Sequence, residues 1–139
     1  MADGIVVSGI NGCELFTQDG CFITGHDPKT GEELWRTATL AEPGTPEYAS
    51  WGDVSPDRRG GGDLWIAGSY DPGLDLVYFG TSQPKPWAAP SRGMSVKDAA
   101  LYTNATMAVR PKTGELVWHF QHIPGETIDM EAVSYTHLR

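Results

Sequence analysis

Asp27-Pro28-Lys29-Thr30-Gly31-Glu32-Glu33-Leu34-Trp35 returns later in the chain as Arg110-Pro111-Lys112-Thr113-Gly114-Glu115-Leu116-Val117-Trp118. An apolar run precedes each copy, Phe22-Ile23-Thr24-Gly25-His26 in the first case and Thr106-Met107-Ala108-Val109 in the second. Pro28 and Pro111 pre-set φ at the second turn position, and Gly31 and Gly114 supply a residue that takes positive φ before the return strand. Strand, proline turn and a second strand carrying Trp predict a β-hairpin for each copy.

A degenerate copy lies between them: Ile66 to Tyr70, the turn Asp71-Pro72-Gly73-Leu74-Asp75, then Leu76-Val77-Tyr78-Phe79. Pro28, Pro72 and Pro111 stand about 40 residues apart, a spacing typical of repeat architectures. Two hairpins make a four-stranded antiparallel sheet, so the interval from Trp35 to Trp118 reads as about one blade of a β-propeller with long loops. Propellers need roughly four blades or more to close, so the chain is expected to be a fragment: one full blade and parts of its neighbours.

Composition agrees with strands and turns. The 139 residues include 17 Gly and 10 Pro, which leaves little room for long helices. Hydrophobic residues make up 40%, with five Trp, five Tyr and four Phe, enough to bury a core. The net charge of −8, with no Lys/Arg cluster, argues against nucleic acid and anionic membrane surfaces. No apolar stretch is long enough for a membrane span, and Met1-Ala2-Asp3-Gly4 runs into Ile5-Val6-Val7 without a basic leader, so a signal peptide is absent or preceded Met1. Cys13 and Cys21 allow one bridge at most and no four-ligand zinc site.

Leu40 to Gly62 and Thr81 to Tyr102 are long connections, expected to be functional or disordered. Helix is the competing reading for Val96–Leu101, free of Gly and Pro, and for Glu32–Leu40; the second is disfavoured because its copy, Glu115–Gln121, alternates like a strand. His119 and His122, three apart in a strand, fall on opposite faces and do not share a metal, and His26 beside its turn is expected to be exposed. Asn104-Ala105-Thr106 matches the glycosylation tripeptide and is read instead as the opening of a strand. Ser134-Tyr135-Thr136-His137-Leu138-Arg139 carries none of the pattern and resembles translated adaptor sequence, so residues 1–133 are taken as the propeller segment and 134–139 as a non-native tail.

The two docking hairpins resemble those of the pyrroloquinoline quinone (PQQ) dependent alcohol dehydrogenases, the methanol and ethanol dehydrogenase type of quinoprotein. More specific blocks extend the resemblance from Ile5 to about Val133: Gly9-Ile10-Asn11-Gly12-Cys13-Glu14, Gly60-Gly61-Gly62-Asp63-Leu64-Trp65, and Tyr70-Asp71-Pro72 through Tyr78-Phe79-Gly80-Thr81-Ser82-Gln83-Pro84. It implies an all-β, eight-bladed propeller of four-stranded antiparallel blades. It also implies a metal ion against the quinone, calcium or alternatively a lanthanide, held by oxygen ligands from separate loops.

On this resemblance Glu14 falls at the family's glutamate ligand, where the plainer reading is a solvated loop charge. Gln83 stands for the family's asparagine, offering the same amide oxygen from one methylene further. Asp129, in Pro124-Gly125-Glu126-Thr127-Ile128-Asp129, corresponds to the proposed catalytic base and also reaches the metal. Glu131 lies where lanthanide-using members carry an extra aspartate. Asn11, Gly12 and Cys13 would line the cofactor, and Trp65 matches the Trp that stacks on it, against the simpler reading of a core aromatic. Asp63 replaces a threonine that bonds the cofactor, and a carboxylate there repels the quinone's own carboxylates unless protonated or metal-bound. Cys13 and Cys21 either close a local disulfide or stay as small apolar residues.

The function implied is oxidation of a primary alcohol to an aldehyde in the periplasm, with electrons passing to a cytochrome c and the isolated fragment inactive. The alternative is a non-catalytic propeller scaffold of the outer-membrane assembly type without cofactor.

Overall fold

The computed structural model describes residues 1–13 and 20–132. Glu14 and the tail 134–139 therefore lie outside the described residues, as does Val133.

Within them the chain forms antiparallel strands joined by turns and three short 3-10 turns. Strands β1 (Val6–Gly9), β2 (Phe22–His26) and β3 (Glu33–Ala38) make a three-stranded sheet in the order β1-β2-β3. A two-residue pair, β4 (Gly60–Gly61) with β7 (Pro84–Lys85), joins the two long connections. Strands β5 (Ser69–Asp71), β6 (Leu76–Gly80), β8 (Ala105–Val109) and β9 (Leu116–Gln121) make a four-stranded sheet in the order β5-β6-β8-β9.

All three expected hairpins form. The middle and last combine into the four-stranded sheet, while the first pairs with β1 instead. The sheet therefore runs from Ser69 to Gln121 and not from Trp35. The cause lies in β6 and β8, which are buried on both faces and pair with each other across the whole Thr81–Tyr102 connection, Val77 opposite Val109 and Phe79 opposite Met107. A strand apolar on both sides belongs in the centre of a sheet.

The main core gathers Ile23 from the first sheet with Val77, Phe79, Met107 and Val109 from the second, and Leu64 from the connection. Burying each such side chain contributes about 1.5–3 kcal/mol relative to leaving it in water. The two sheets are also joined by polar contacts: the Trp35 indole Nε1 donates to the Pro111 carbonyl at 2.9 Å, and Thr37 Oγ1 donates to the Gly114 carbonyl at 2.6 Å.

The long connections build a second core of Ala41, Trp51, Ala89, Met94 and Ala100. Trp51 is fully buried, and its Nε1 donates to the Leu101 carbonyl at 2.5 Å. Arg59 stacks over the Tyr48 ring, 3.8 Å from its centroid, and donates to the Val54 carbonyl at 3.0 Å. Pro46–Trp51, Pro56–Arg58 and Ala89–Arg92 take 3-10 form, each with proline in its first turn, where the missing N–H has no partner to lose.

Val96–Leu101 is not helical, contrary to its composition. Asp98 Oδ2 accepts the Ser95 amide at 2.7 Å and its hydroxyl at 2.9 Å, closing a local turn, and Ala100 has φ of 54°, which no right-handed helix accommodates. Glu33–Ala38 is strand, as its repeat copy indicated. Cys13 and Cys21 form a disulfide.

Candidate functional site

Five hydrogen bonds, three of them between backbone groups, lay the candidate residues side by side. The Leu64 amide donates to the Ile10 carbonyl at 2.9 Å, joining the Asn11–Cys13 segment to the Asp63–Trp65 segment. The Ser82 amide donates to the Asp63 carbonyl at 2.9 Å, and the Asp63 amide returns to Ser82 Oγ at 3.0 Å. The Asn104 amide donates to the Ser82 carbonyl at 2.8 Å, and Asn104 Nδ2 reaches the Met130 carbonyl at 2.7 Å. Five stretches far apart in sequence thus become neighbours at one place, just beyond the ends of β6 and β8.

There Gln83 Nε2 donates to Asp129 Oδ1 at 2.5 Å across 46 residues. Gln83 is buried, and its Oε1 has no hydrogen-bond partner among the described residues. Glu131 is close enough to share the Gln83 amide and to feel the charges of Asp63 and Asp129. Burial first, and then the Asp63 carboxylate, push the Glu131 carboxyl above its ordinary range, against the Gln83 hydrogen bond and the Lys85 charge. Asp63 is fully buried and accepts the Ser82 hydroxyl.

These donors fit a hard cation, which prefers amide and carboxylate oxygens and would relieve the crowding of negative charge. The buried, unpaired Gln83 Oε1 is the observation that favours it. Among the described residues no three His, Cys, Asp or Glu side chains form a group that could hold a metal ion.

Trp65 is 58% exposed in this chain and belongs to no strand. Asn11 is exposed, and its Oδ1 accepts the Gly12 amide at 2.7 Å, so its side chain turns into its own loop. Cys13 is committed to its disulfide. The Gln83, Asp129 and Glu131 side chains are thus brought together, with Trp65 and the Asn11–Cys13 segment on the adjoining loops.

The structural roles of several residues escaped the sequence reading. Asn104 is 1% exposed with φ of 48°; its amide holds Met130, so it is no surface acceptor for a sugar. Glu126 and Arg92 are buried as well. The one signal available for Asn104 was its place immediately before a strand, where Asn tolerates the left-handed conformation. The histidines serve packing: His119 lies edge-on to Tyr102, His122 meets Phe120 and Thr106, and half-buried His26 contacts Thr24.

Residues 1–138 match the family described as PQQ: glucose/ethanol/alcohol dehydrogenase, beta-propeller domain. The quinohemoprotein alcohol dehydrogenase ADH IIB of Pseudomonas putida is 36% identical over 93% of this chain and 20% of its own length. The structure of quinohemoprotein alcohol dehydrogenase ADH IIG from Pseudomonas putida HK5 superposes with a TM-score of 0.80 at 33% identity, over 95% of this chain and 20% of that one. A europium-containing methanol dehydrogenase gives 0.73 at 26% identity, over 95% of this chain and 25% of its own. The chain thus spans about a fifth to a quarter of the length of these relatives. Because the family match extends from β1 through the loop carrying Asp129 and Glu131, this chain belongs to the PQQ glucose/ethanol/alcohol dehydrogenase β-propeller family.

Proposed function

We propose that residues 1–133 are a segment of a periplasmic PQQ-dependent dehydrogenase that oxidises a primary alcohol to an aldehyde and passes electrons to a cytochrome c. The hydrogen bond between Gln83 and Asp129 carries this reading: a buried amide and an exposed carboxylate from loops 46 residues apart meet, with one amide oxygen left for a cation. Gln83, Asp129 and Glu131, with Glu14, would hold calcium or alternatively a lanthanide, the extra carboxylate of Glu131 suiting the trivalent ion. Asn11, Gly12, Cys13 and Trp65 would contact PQQ.

When bound, PQQ supplies the hydride acceptor and the cation polarises its carbonyl. The protein's own part is proton transfer and orientation. Asp129 takes the alcohol proton on a carboxylate oxygen, and the Gln83 amide fixes which way that carboxylate points. The open face of Trp65 excludes water from one side of the planar ligand.

The four-stranded sheet from Ser69 to Gln121 is then one blade of eight, with the first sheet part of its neighbour. Trp118, 42% exposed, would dock on the turn of the following blade as Trp35 docks on Pro111.

The test is the full-length protein containing this segment, supplied with PQQ and with calcium or a lanthanide. Turnover of a primary alcohol with a dye acceptor, lost in Asp129→Asn, supports the reading. A protein that binds neither PQQ nor the ion and oxidises no alcohol overturns it in favour of a non-catalytic propeller.

A further inference from the structure

Asp129 has φ of 64°, in the left-handed region that aspartate enters more readily than most non-glycine residues but still at some cost. The residues on either side of it are held by one side chain. Glu126 Oε1 accepts the amide of Ile128 at 2.5 Å and that of Met130 at 3.1 Å, so a single buried oxygen bonds the residues on either side of Asp129. In the next peptide unit, the Met130 carbonyl accepts Asn104 Nδ2 at 2.7 Å. Glu126 and Asn104 are 2% and 1% exposed, so solvent does not compete for these bonds.

Each of the two is anchored elsewhere. Arg92 Nη2 donates to the Glu126 carbonyl at 2.8 Å, while its Nη1 donates to the carbonyls of Pro86 at 2.8 Å and Trp87 at 2.5 Å. The Ala89 amide donates to Thr127 Oγ1 at 2.8 Å. The loop bearing Asp129 is thereby pinned to the 3-10 turn Ala89–Arg92 in the second core. Asn104 takes its position from Ser82, the residue before Gln83. Hydrogen bonds through Asn104 therefore connect Ser82 to Met130, the neighbours of Gln83 and Asp129, and set the distance over which the Gln83–Asp129 bond forms.

We propose that Glu126 and Asn104 are positioning residues for Asp129: Glu126 accepts both flanking amides, Asn104 holds the Met130 carbonyl, and together they hold the left-handed turn that presents the Asp129 carboxylate to Gln83. This rests on the assignment of Asp129 as the base. Glu126 touches no reacting atom, and its carboxylate acts as a hydrogen-bond acceptor, a task the amide oxygen of glutamine can also perform.

The experiment uses the full-length enzyme loaded with PQQ and metal, and reads three quantities: kcat with KM, bound PQQ and metal, and hydrogen exchange of the segment around residues 127–130. Glu126→Ala is expected to lower kcat about 100-fold, the size of loss that a small misplacement of a reacting group causes. PQQ content stays at the wild-type level, the segment exchanges faster, and Glu126→Gln regains most of both the rate and the protection. Asn104→Asp, which keeps the left-handed backbone but turns the donor into an acceptor, is expected to move kcat and exchange in the same direction.

The proposal is overturned if Glu126→Ala keeps kcat within about threefold of wild type, leaves exchange unchanged, or loses PQQ in step with activity. It is equally overturned if Glu126→Gln fails to restore the rate. Should Glu126→Ala not fold, Glu126→Gln and Asn104→Asp decide by the same readouts. Asp129→Asn separates the two ideas: if that variant turns over alcohol, the assignment of the base fails, and the exchange data still decide whether Glu126 sets the turn.

Discussion

The turns at Asp27–Glu32 and Arg110–Glu115 share one backbone and live in different surroundings. In each, the first residue's amide bonds the carbonyl of the residue five on, and the glycine amide bonds the first residue's carbonyl, all at 2.9 Å. Yet Pro28 and Gly31 are exposed, whereas Pro111 and Gly114 are buried beneath Trp35. Their opening residues differ accordingly. Asp27 Oδ1 caps its own turn, accepting the amides of Lys29 at 2.8 Å and Thr30 at 2.9 Å, while Arg110 reaches away to the carbonyls of Leu74 at 2.8 Å and Asp75 at 3.1 Å. The same local code thus makes a self-sufficient turn at one place and a docking surface at the other.

The sharpest way to break this likeness is alanine at the two glycines. At Gly114, with φ of 73°, an added Cβ overlaps the Trp35 ring; at Gly31, with φ of 76°, it meets nothing within 4 Å. Both substitutions bear the left-handed cost of about 1–2 kcal/mol, and Gly114→Ala adds overpacking of roughly the same size. Denaturant unfolding should show a loss of about 3 kcal/mol for Gly114→Ala and about 1 kcal/mol for Gly31→Ala. Equal losses would mean that Trp35 does not depend on the Gly114 turn.

Next in size is the pair of tryptophans. Trp35 is half-buried, spends its N–H on Pro111 and packs against the main core, so Trp35→Ala is expected to cost about 2 kcal/mol. Trp118 is 42% exposed and retains a tilted contact with Tyr78, 5.7 Å between centroids, so Trp118→Ala should cost about 1 kcal/mol in the same unfolding measurement. A Trp118 loss matching that of Trp35 would erase the distinction.

The smallest effect follows acid. The two backbone amides of Thr30 and Lys29 hold the Asp27 carboxyl below its ordinary value. A lowered folded value means that the stabilisation is complete above the unfolded pKa of about 3.9 and is lost as pH falls through the folded one. In amide chemical shifts recorded from pH 6 downwards, Lys29 and Thr30 should titrate below about pH 4, while Lys112 and Thr113 do not follow Asp27. An identical response in both turns would show that the cap contributes nothing specific to the first.

Much of the fold could be read directly, because its hairpins are local. Proline and glycine at fixed offsets specify a turn whatever surrounds it, and alternation or burial of the flanking residues specifies strands. Sheet membership was less accessible: Phe22–His26 and Ala105–Val109 look alike as segments, but the first pairs with Val6–Gly9 and the second with Leu76–Gly80. Which edge a strand finds depends on long-range packing, as with Val77 and Val109 meeting across more than twenty intervening residues. The long connections misled in the same way. Val96–Leu101 has helical composition, but Asp98 and Ser95 bond each other and Ala100 packs beside Trp51 in the second core.

The candidate site divides along the same line. Gln83, Asp129, Glu131 and Trp65 were named because their motifs resemble a family's, and the structure brings the first three together beside the Trp65 loop. Asn104 was read only as the opening of a strand and Glu126 was given no role, since each matters only through the partner it meets.

The sequence by itself determined the repeats, the turn chemistry, the antiparallel class and the identity of the polar residues to watch, since these depend on φ preferences and side-chain type within a few neighbours. Only the tertiary structure decided that one copy of the turn is covered and the other bare, that two loose-looking connections share a core, and that Asp129 is held in its unusual conformation by Glu126 and Asn104. Each of those outcomes depends on excluding water from groups distant along the chain, and burial is a property of the assembled molecule.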